Sequence, residues 1–338
     1  MFPEILVRAP VGLLPVLLFL GFLLWIDSYK LVTLRDTLLV IAGGALVAAI
    51  AYLINSDLVT RSGMAFYDYA RFGAPVIEEC LKGLIVVLLF RTHRIGFLVD
   101  AAIFGFAVGA GFAFAENLFY LTTEDHRHLA VWVVRGFGTA IMHGSATAIF
   151  AIFAQVLTER NMRINPLLYL PGLLVAVALH SLFNHFPLHP IMMTLAVMLL
   201  APPLLAYVFK RSADKIHDWL ELDFDADALL LEQLNSRVFA QTRVGQFLHD
   251  LRSAFEGPVV VDMLCYLRLH TELAMRAKGA LLMREEGFEV AVGERTRAKF
   301  AELAYLERSI GKTGMLAMRP FLRIERKALW QMHVIDRK

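Results

Sequence analysis

The sequence predicts an all-α protein: a polytopic membrane helix bundle followed by a C-terminal cytoplasmic helical domain. Hydrophobic residues make up 58% of the 338 residues, and the mean hydropathy of +0.58 is too high for an ordinary soluble domain. The apolar residues are concentrated in seven stretches, each close to or beyond the roughly 20 residues that span a hydrocarbon core. We therefore expect about seven transmembrane helices within residues 1–210, near 9–26, 38–54, 74–90, 97–121, 129–157, 167–186 and 190–209.

The first apolar stretch is interpreted as a retained helix, because no small-residue cleavage site follows it and six more apolar stretches do. Basic residues predict the orientation, since cytoplasmic loops are enriched in Lys and Arg. With the N-terminus outside and the C-terminus inside, nine basic residues fall in inner loops and four in outer loops. The inner residues are Lys30, Arg35, Arg91, Arg94, Arg160, Arg163, Lys210, Arg211 and Lys215, and the outer ones are Arg8, Arg61, Arg71 and Arg127.

Two segments differ from the apolar stretches. Residues 57–72 mix aromatic residues with Arg61, Asp68 and Arg71, so we expect them to lie in the membrane interface or to lead the chain back to the third helix. From about Arg211 the sequence becomes charged and amphipathic at helical spacing. We therefore expect a soluble helical domain at 211–338, with a regulatory or partner-binding role because it carries no convergent polar motif.

Charge and cysteine content exclude several classes of protein. The net charge is only +2, and the basic residues lie mostly in loops and the C-terminal region, so no nucleic-acid partner is expected. The two cysteines, Cys80 and Cys265, form neither a disulfide framework nor a zinc site made of cysteines.

Glu78, Glu79 and Lys82 form an EExxK motif just inside the third apolar stretch. Charges at membrane depth are costly, so they indicate a reaction or transport site. At about 100° per residue, Lys82 projects about 40° from Glu78 and about 60° from Glu79, so one cation can restrain both acids. Paired carboxylates in a medium of low dielectric can provide a general base. The alternative is a salt bridge that anchors the end of a helix.

The fourth stretch carries Glu116, with Phe112 one turn earlier on the same face and Asn117 beside it. The carboxylate of Glu116 needs a partner at this depth, and Tyr120 is a candidate on the same face. Glycines such as Gly109 favour the close approach of a neighbouring helix.

Histidines occur in the next two apolar stretches. His143 lies in a weakly polar stretch with Ser145 and Thr147, where it is either a packing residue or part of a site. His180 and Asn184 are four residues apart, so their side chains share a helix face. A histidine and an amide so placed can polarise a carbonyl and hold an oxyanion.

The alternating direction of the helices tests whether these residues share one depth. With the N-terminus outside, Glu78, Glu116 and His180 each lie one or two turns from the outer end of their helix at 1.5 Å per residue. Asn184 is shallower, and the depth of His143 depends on whether its helix begins at Leu129 or nearer Arg135. We therefore predict one site near the outer face.

In this order and on separate helices, the EExxK, FxxxE, His and HxxxN motifs resemble those of the PrsW-type intramembrane proteases. That family is related to the CAAX-prenyl proteases, the bacteriocin-processing superfamily and a non-proteolytic scaffold subunit of gamma-secretase. The resemblance covers about residues 70–190. It implies an integral-membrane endopeptidase of the bacterial inner membrane, which cleaves membrane-anchored proteins such as anti-sigma factors on their extracytoplasmic side.

The resemblance also implies roles for individual residues. Glu78 or Glu79 would activate water, and His180 with Asn184 would hold the oxyanion. The CAAX branch has a histidine where this chain has Glu116, so the water-activating pair stays open: His143 could supply the imidazole, or Glu116 could take part in a metal site. The implied catalytic set is Glu78, Glu79, Glu116, His143, His180 and Asn184, with support from Lys82, Phe112 and Asn117.

A zinc-dependent route is the main alternative, with Glu79, Glu116, His143 and His180 as ligands and an open position for water. We favour the metal-free glutamic route because no HExxH motif is present. Two other classes of function also place charged residues in membrane helices. A proton- or cation-coupled transporter would be expected to show inverted repeats, which the sequence lacks. A non-catalytic scaffold would not need both glutamates and the final His/Asn pair.

Overall fold

The computed structural model describes residues 2–123, 128–159, 165–288 and 294–322. Over these ranges the chain is all-α and has no strands, as the sequence predicts. Arg127, Arg160 and Arg163, which were used to predict the orientation, lie outside the described residues. The longer helices are α1 (Phe2–Ile26), α2 (Leu34–Ser62), α3 (Ala74–Arg91), α4 (Leu98–Thr123), α5 (Ala140–Thr158), α6 (Leu170–His185), α7 (Pro190–Asn235), α8 (Arg243–Leu251), α9 (Gly257–Glu285) and α10 (Glu294–Met318).

Helices occupy all seven stretches that were predicted to span the membrane. Within the described residues, six candidate spans are long and apolar enough to cross a bilayer: Leu6–Ile26, Leu34–Ser62, Leu98–Thr123, Leu129–Thr158, Pro166–His185 and Pro190–Asn235. The seventh, α3, is 18 residues long and carries Glu78, Glu79, Lys82 and Arg91. Its charges therefore set α3 apart from the other helices of the bundle.

Two π-helical turns interrupt the bundle. One, Tyr69–Gly73, leads directly into α3, and the other, Val134–Thr139, joins the short helix Leu129–Val133 to α5. The segment predicted to lie at the interface is divided, because residues 57–62 continue α2 until Gly63, whose φ of 65° ends the helix. Single π-turns inside helices are frequent at functional sites.

Helix α4 is the centre of the bundle and packs against α1, α2 and α5. All of its residues from Leu98 to Ala113 are buried. Glycines allow this close packing: a Cβ atom on Gly109 would lie 2.2 Å from the carbonyl oxygen of His143, and one on Gly111 would lie 2.1 Å from that of Ile41. The small residues of α4 thus bring α2 and α5 against its backbone.

The chain divides into two compact units, residues 1–212 and 213–338, which we call the membrane unit and the C-terminal unit. The C-terminal unit contains α8, α9 and α10 and has an apolar core of its own. Thr242 caps α8 by accepting a hydrogen bond from the backbone N–H of Gly245, and Pro258 lies in the first turn of α9. The core includes Leu234, Val244, Leu248, Met263, Leu267, Leu273, Leu306 and Ile310.

Candidate active site

The EExxK motif on α3 points into the membrane unit. Glu79 and Lys82 are fully buried, and Glu78 is partly buried. Lys82 Nζ donates a hydrogen bond to Glu79 Oε1 at 2.7 Å and lies 2.8 Å from His143 Nδ1. It also lies 4.0 Å from the centroid of the Phe112 ring, a cation–π distance. Lys82 therefore joins α3 to α4 and α5.

The contacts of Lys82 determine the proton positions on His143. A lysine ammonium has donors only, so His143 Nδ1 accepts the hydrogen bond and the proton of the neutral ring lies on Nε2. That nitrogen is 3.3 Å from Glu116 Oε2. The His143 ring thus connects Lys82 of the EExxK motif to Glu116 of the FxxxE motif.

His180 is oriented by Glu79. Its Nδ1 lies 2.9 Å from Glu79 Oε1, and because a carboxylate only accepts, Nδ1 carries a proton. The other ring nitrogen, Nε2, lies 3.8 Å from Glu78 Oε2. The ring of His180 also stands edge-on to that of His143, with 4.6 Å between the centroids. The two glutamates therefore contact opposite sides of one imidazole.

The two adjacent glutamates have different surroundings. Glu79 Oε1 is held by Lys82 and His180, and Thr147 Oγ1 lies 3.4 Å from Glu79 Oε2. Glu78 Oε1 accepts a hydrogen bond from Asn55 Nδ2 at 3.2 Å. Glu79 is thus bound by a cation and by histidine, whereas Glu78 is bound by a neutral amide.

Glu116 lies beside Arg135, which was not predicted from the sequence to belong to the site. Glu116 Oε2 lies 3.4 Å from Nη2 of Arg135, which comes from the π-turn before α5. Arg135 Nε donates to Asn117 Oδ1 at 2.9 Å, and Asn117 Nδ2 donates to the carbonyl of Gly12 at 2.8 Å. The guanidinium carbon lies 3.8 Å from the centroid of the Tyr120 ring. Arg135 therefore contacts both Glu116 and Tyr120, which lie on the same face of α4.

Asn184 is not brought into this cluster. Its Nδ2 donates to the carbonyl of Ala70 at 2.9 Å, in the π-turn before α3. Ser181 Oγ donates to the next carbonyl, that of Arg71, at 2.7 Å. A π-turn leaves carbonyls outside the usual helical ladder, and these two bind α6 instead. His180 and Asn184 were predicted to act together from one helix face. In the structure they contact different groups, because His180 faces the two glutamates and Asn184 binds the carbonyl of Ala70.

The structure thus brings together six of the predicted site residues and adds others. The six are Glu78, Glu79, Lys82, Glu116, His143 and His180. Phe112 contacts Lys82 and His143, and Asn117 is hydrogen-bonded to Arg135. Sequence reasoning did not assign Asn55, Arg135 or Thr147 to the site. Each of these three is a polar residue within or at the end of an apolar stretch, which is the feature that identified the motif residues. None of the three belongs to a motif, so this feature alone did not assign them to the site.

The cluster contains donors of the kind that zinc binds. One ligand atom each from Glu78, His143 and His180 lie within 4.8 Å of one another, and nitrogen and carboxylate oxygen are zinc ligands. Because His180 Nδ1 faces Glu79, it is Nε2 that could bind a metal, with Glu79 as the carboxylate that orients the ring. The donor types and spacing therefore fit zinc.

This group differs from the ligand set predicted from the sequence, which contained Glu79 and Glu116 instead of Glu78. Glu79 lies outside the group because its Oε1 already binds Lys82 and His180. His143 could bind zinc through Nε2 only by giving up the proton that faces Glu116, since its Nδ1 faces Lys82.

Comparison with known proteins identifies the family of this chain. The family model described as PrsW family intramembrane metalloprotease matches residues 34–208, more than half of the chain and all of the motif residues. No curated protein and no solved structure gave a match. The chain therefore belongs to the PrsW family and is an intramembrane protease, that is, a peptide hydrolase of the membrane.

Proposed function

We propose that this protease cleaves single-span membrane proteins near the extracytoplasmic face with Glu78 as the general base that activates water. The unequal surroundings of the two glutamates carry this proposal. Glu79 is neutralised by Lys82 and hydrogen-bonded to His180, so it is suited to orientation. Among the described residues, the Asn55 amide is the hydrogen-bond donor to Glu78 Oε1, and Glu78 Oε2 faces His180 Nε2. Glu78 is therefore the acid with an oxygen available to water.

The charge of the cluster supports this assignment. Three carboxylates, those of Glu78, Glu79 and Glu116, are opposed by two permanent cations, Lys82 and Arg135. Buried charges are stable only when they are compensated, so the cluster favours one additional proton. The gap of 3.8 Å between Glu78 Oε2 and His180 Nε2 lies between two groups that can share that proton. A mobile proton at this position is what general acid–base catalysis requires.

Peptide hydrolysis then follows in two steps. Glu78 takes a proton from water, and the resulting hydroxide attacks the substrate carbonyl carbon. His180, protonated on both nitrogens and held by Glu79, donates from Nε2 to the developing oxyanion. Glu78 returns its proton to the leaving amine as the C–N bond breaks. Asn184 would assist His180 only after releasing the carbonyl of Ala70.

Zinc-dependent hydrolysis is the second candidate, favoured by the ligand group and by the description of the family. In that case Glu78, His143 and His180 would hold the metal, with Glu79 orienting His180. Bound zinc would lower the pKa of its water and polarise the substrate carbonyl. Lys82 would still neutralise Glu79, and Arg135 would still neutralise Glu116.

The depth of the motifs in the sequence supports this choice of substrate and membrane face. With the N-terminus outside, the EExxK and HxxxN motifs lie near the outer ends of their helices, where a single-span protein could present its extracytoplasmic border. Membrane-anchored anti-sigma factors are one such class. The C-terminal unit would then be cytoplasmic and would bind a partner or regulate cleavage.

The test is cleavage of a panel of single-span proteins by the purified enzyme in nanodiscs. Glu78→Gln should lower the rate by about 10²- to 10⁴-fold, the range for loss of a general base. Asp68→Asn, which removes an exposed acid just before α3, should retain the wild-type rate. Full activity of Glu78→Gln would contradict the proposal.

The same assay distinguishes the two routes. Cleavage that resists a strong chelator, by protein without bound zinc in elemental analysis, would support the metal-free route. Cleavage that is lost with chelator and restored by zinc would instead support the metal route, with Glu78, His143 and His180 as ligands.

A further inference from the structure

A short chain of hydrogen bonds connects the π-turn before α3 to Glu78. The hydroxyl of Tyr69 donates to Asn55 Oδ1 at 2.9 Å, and Asn55 Nδ2 donates to Glu78 Oε1 at 3.2 Å. Tyr69 is buried at 6% exposure, although its sequence neighbour Tyr67 is 75% exposed. These hydrogen bonds join three elements: Tyr69 lies in the π-turn, Asn55 near the end of α2, and Glu78 on α3.

The local backbone is shaped around the Tyr69 ring. A Cβ atom on Gly73 would lie 2.7 Å from Cε2 of that ring, so only glycine leaves space for the ring at this position. The carbonyls of Ala70 and Arg71, in the same turn, are held by Asn184 and Ser181. The position of the Tyr69 hydroxyl is therefore constrained from two sides.

The hydroxyl determines which way the Asn55 amide faces. An amide has an acceptor oxygen and a donor nitrogen, and a carboxylate accepts only. Because the oxygen of Asn55 accepts from Tyr69, its nitrogen is directed at Glu78. Without the hydroxyl the amide could rotate and present its oxygen to the carboxylate, which would repel it. Tyr69 thus selects the amide orientation that can bind Glu78.

We propose that Asn55 and Tyr69 are positioning residues for the reaction, which hold Glu78 so that its Oε2 faces His180 and the attacking water. This proposal rests on the function proposed above for Glu78. Asn55 binds Oε1 and so leaves Oε2 as the free oxygen, while Tyr69 acts only through Asn55. Neither side chain needs to touch the substrate. Their loss should therefore lower the rate of the chemical step and leave substrate binding unchanged.

The experiment compares steady-state kinetics of the full-length enzyme in nanodiscs. Asn55→Leu should lower kcat by about 10- to 100-fold, the effect of losing a hydrogen bond to a charged group, and Tyr69→Phe by about 3- to 10-fold. In both variants KM should stay at the wild-type value. Asn55→Gln, which keeps the amide, should recover part of the rate. Tyr67→Phe and Ser56→Ala change exposed side chains nearby and should behave as wild type.

A double variant tests whether Tyr69 acts on Glu78 through Asn55, an arrangement that we call the relay. If Tyr69 acts only through Asn55, then Tyr69→Phe combined with Asn55→Leu should be no slower than Asn55→Leu alone. Independent, multiplying losses would overturn the relay, as would losses that fall on KM. Tyr69→Phe removes a single oxygen atom, so it remains informative even if Asn55→Leu does not fold.

Glu78→Gln separates this proposal from the one on which it rests. If Glu78→Gln is fully active, the assignment of the base fails, and the relay fails with it. If Glu78→Gln is inactive while Asn55→Leu and Tyr69→Phe both keep the wild-type kcat, only the relay is overturned.

Discussion

The membrane unit and the C-terminal unit differ in where their charged side chains lie. In the membrane unit, charged and polar side chains such as Glu79, Lys82 and His143 are buried, and large apolar side chains such as Leu18 and Leu199 are exposed at 69% and 71%. The C-terminal unit has an apolar core, its ion pair between Arg276 and Glu272 is partly exposed, and it buries Lys278 beside Asp227. Lipid accepts apolar surface and excludes charge, which explains why the membrane unit exposes leucines and pairs its charges inside.

The two interiors are stabilised by different interactions. Apolar burial stabilises the C-terminal unit in the usual way. In the membrane unit a lipid-facing leucine gains little from burial, so packing at glycines and pairing of charges have to specify how the helices meet. The same pairs then form the site, and each of the following variants tests one side of this contrast.

The largest expected effect is on a buried ion pair. Lys82→Met should lower the free energy of unfolding by about 3–5 kcal/mol, because it leaves the buried carboxylate of Glu79 without its cation. Lys299→Met should cost less than about 1 kcal/mol, because its partner Glu272 is partly exposed and keeps Arg276. Both can be measured by denaturant unfolding of detergent-solubilised protein. Equal, small losses would mean that the interior of the membrane unit is well hydrated.

The next effect concerns a glycine in each unit. Gly109→Ala should destabilise the protein by about 1–3 kcal/mol, because the added Cβ meets the backbone carbonyl of His143 and overpacks the contact between α4 and α5. Gly279→Ala, within α9, has nothing within 4 Å and should stabilise its helix by about 0.5–1 kcal/mol. Thermal unfolding of the two variants should therefore shift in opposite directions. A shift in the same direction would contradict the close packing of α4.

The smallest expected effect is a pH dependence in the C-terminal unit. Burial, with a further contribution from the positive charge of Lys278, lowers the pKa of His270 from 6.5 to about 4. The unfolded chain therefore binds a proton below pH 6.5 that the folded chain does not, and stability falls as the pH decreases from about 6.5 to about 4. Between pH 7.5 and 5.5 the loss should be about 1.4 kcal/mol.

The control for this prediction is His270→Gln, which has no proton to bind and should remove that part of the pH dependence. Unfolding of both proteins should be followed at a series of pH values with salt held constant. A wild-type slope in the variant would show that other groups are responsible.

Much of the site could be predicted from the sequence, because an ionisable residue in an apolar helix is conspicuous. The depth argument placed the motifs of α3, α4 and α6 at one level, and the structure brings Glu78, Glu116 and His180 into one cluster. The prediction was less complete for Lys82. Its angle on the helix allowed contact with both glutamates, whereas its hydrogen bonds go to Glu79 and to His143 on another helix.

Asn184 and Arg135 show why the rest could not be predicted. The spacing of HxxxN put Asn184 on the face of His180, but its amide binds a carbonyl that only the π-turn before α3 makes available. Arg135 was considered as a marker of where a helix begins, and the π-turn that contains it directs its side chain to Glu116. Helical periodicity assumes regular turns, and both residues depend on an irregular one.

The sequence by itself determined that the chain is an all-α membrane protein with charged motifs in apolar helices, because composition and period are properties of single segments. Only the tertiary structure decided which glutamate is bound by Lys82 and which is bound by Asn55. The bonded pairs Lys82–His143 and Glu79–His180 are 61 and 101 residues apart. Contacts over such separations depend on how helices pack, and in this protein glycine contacts along α4 set that packing.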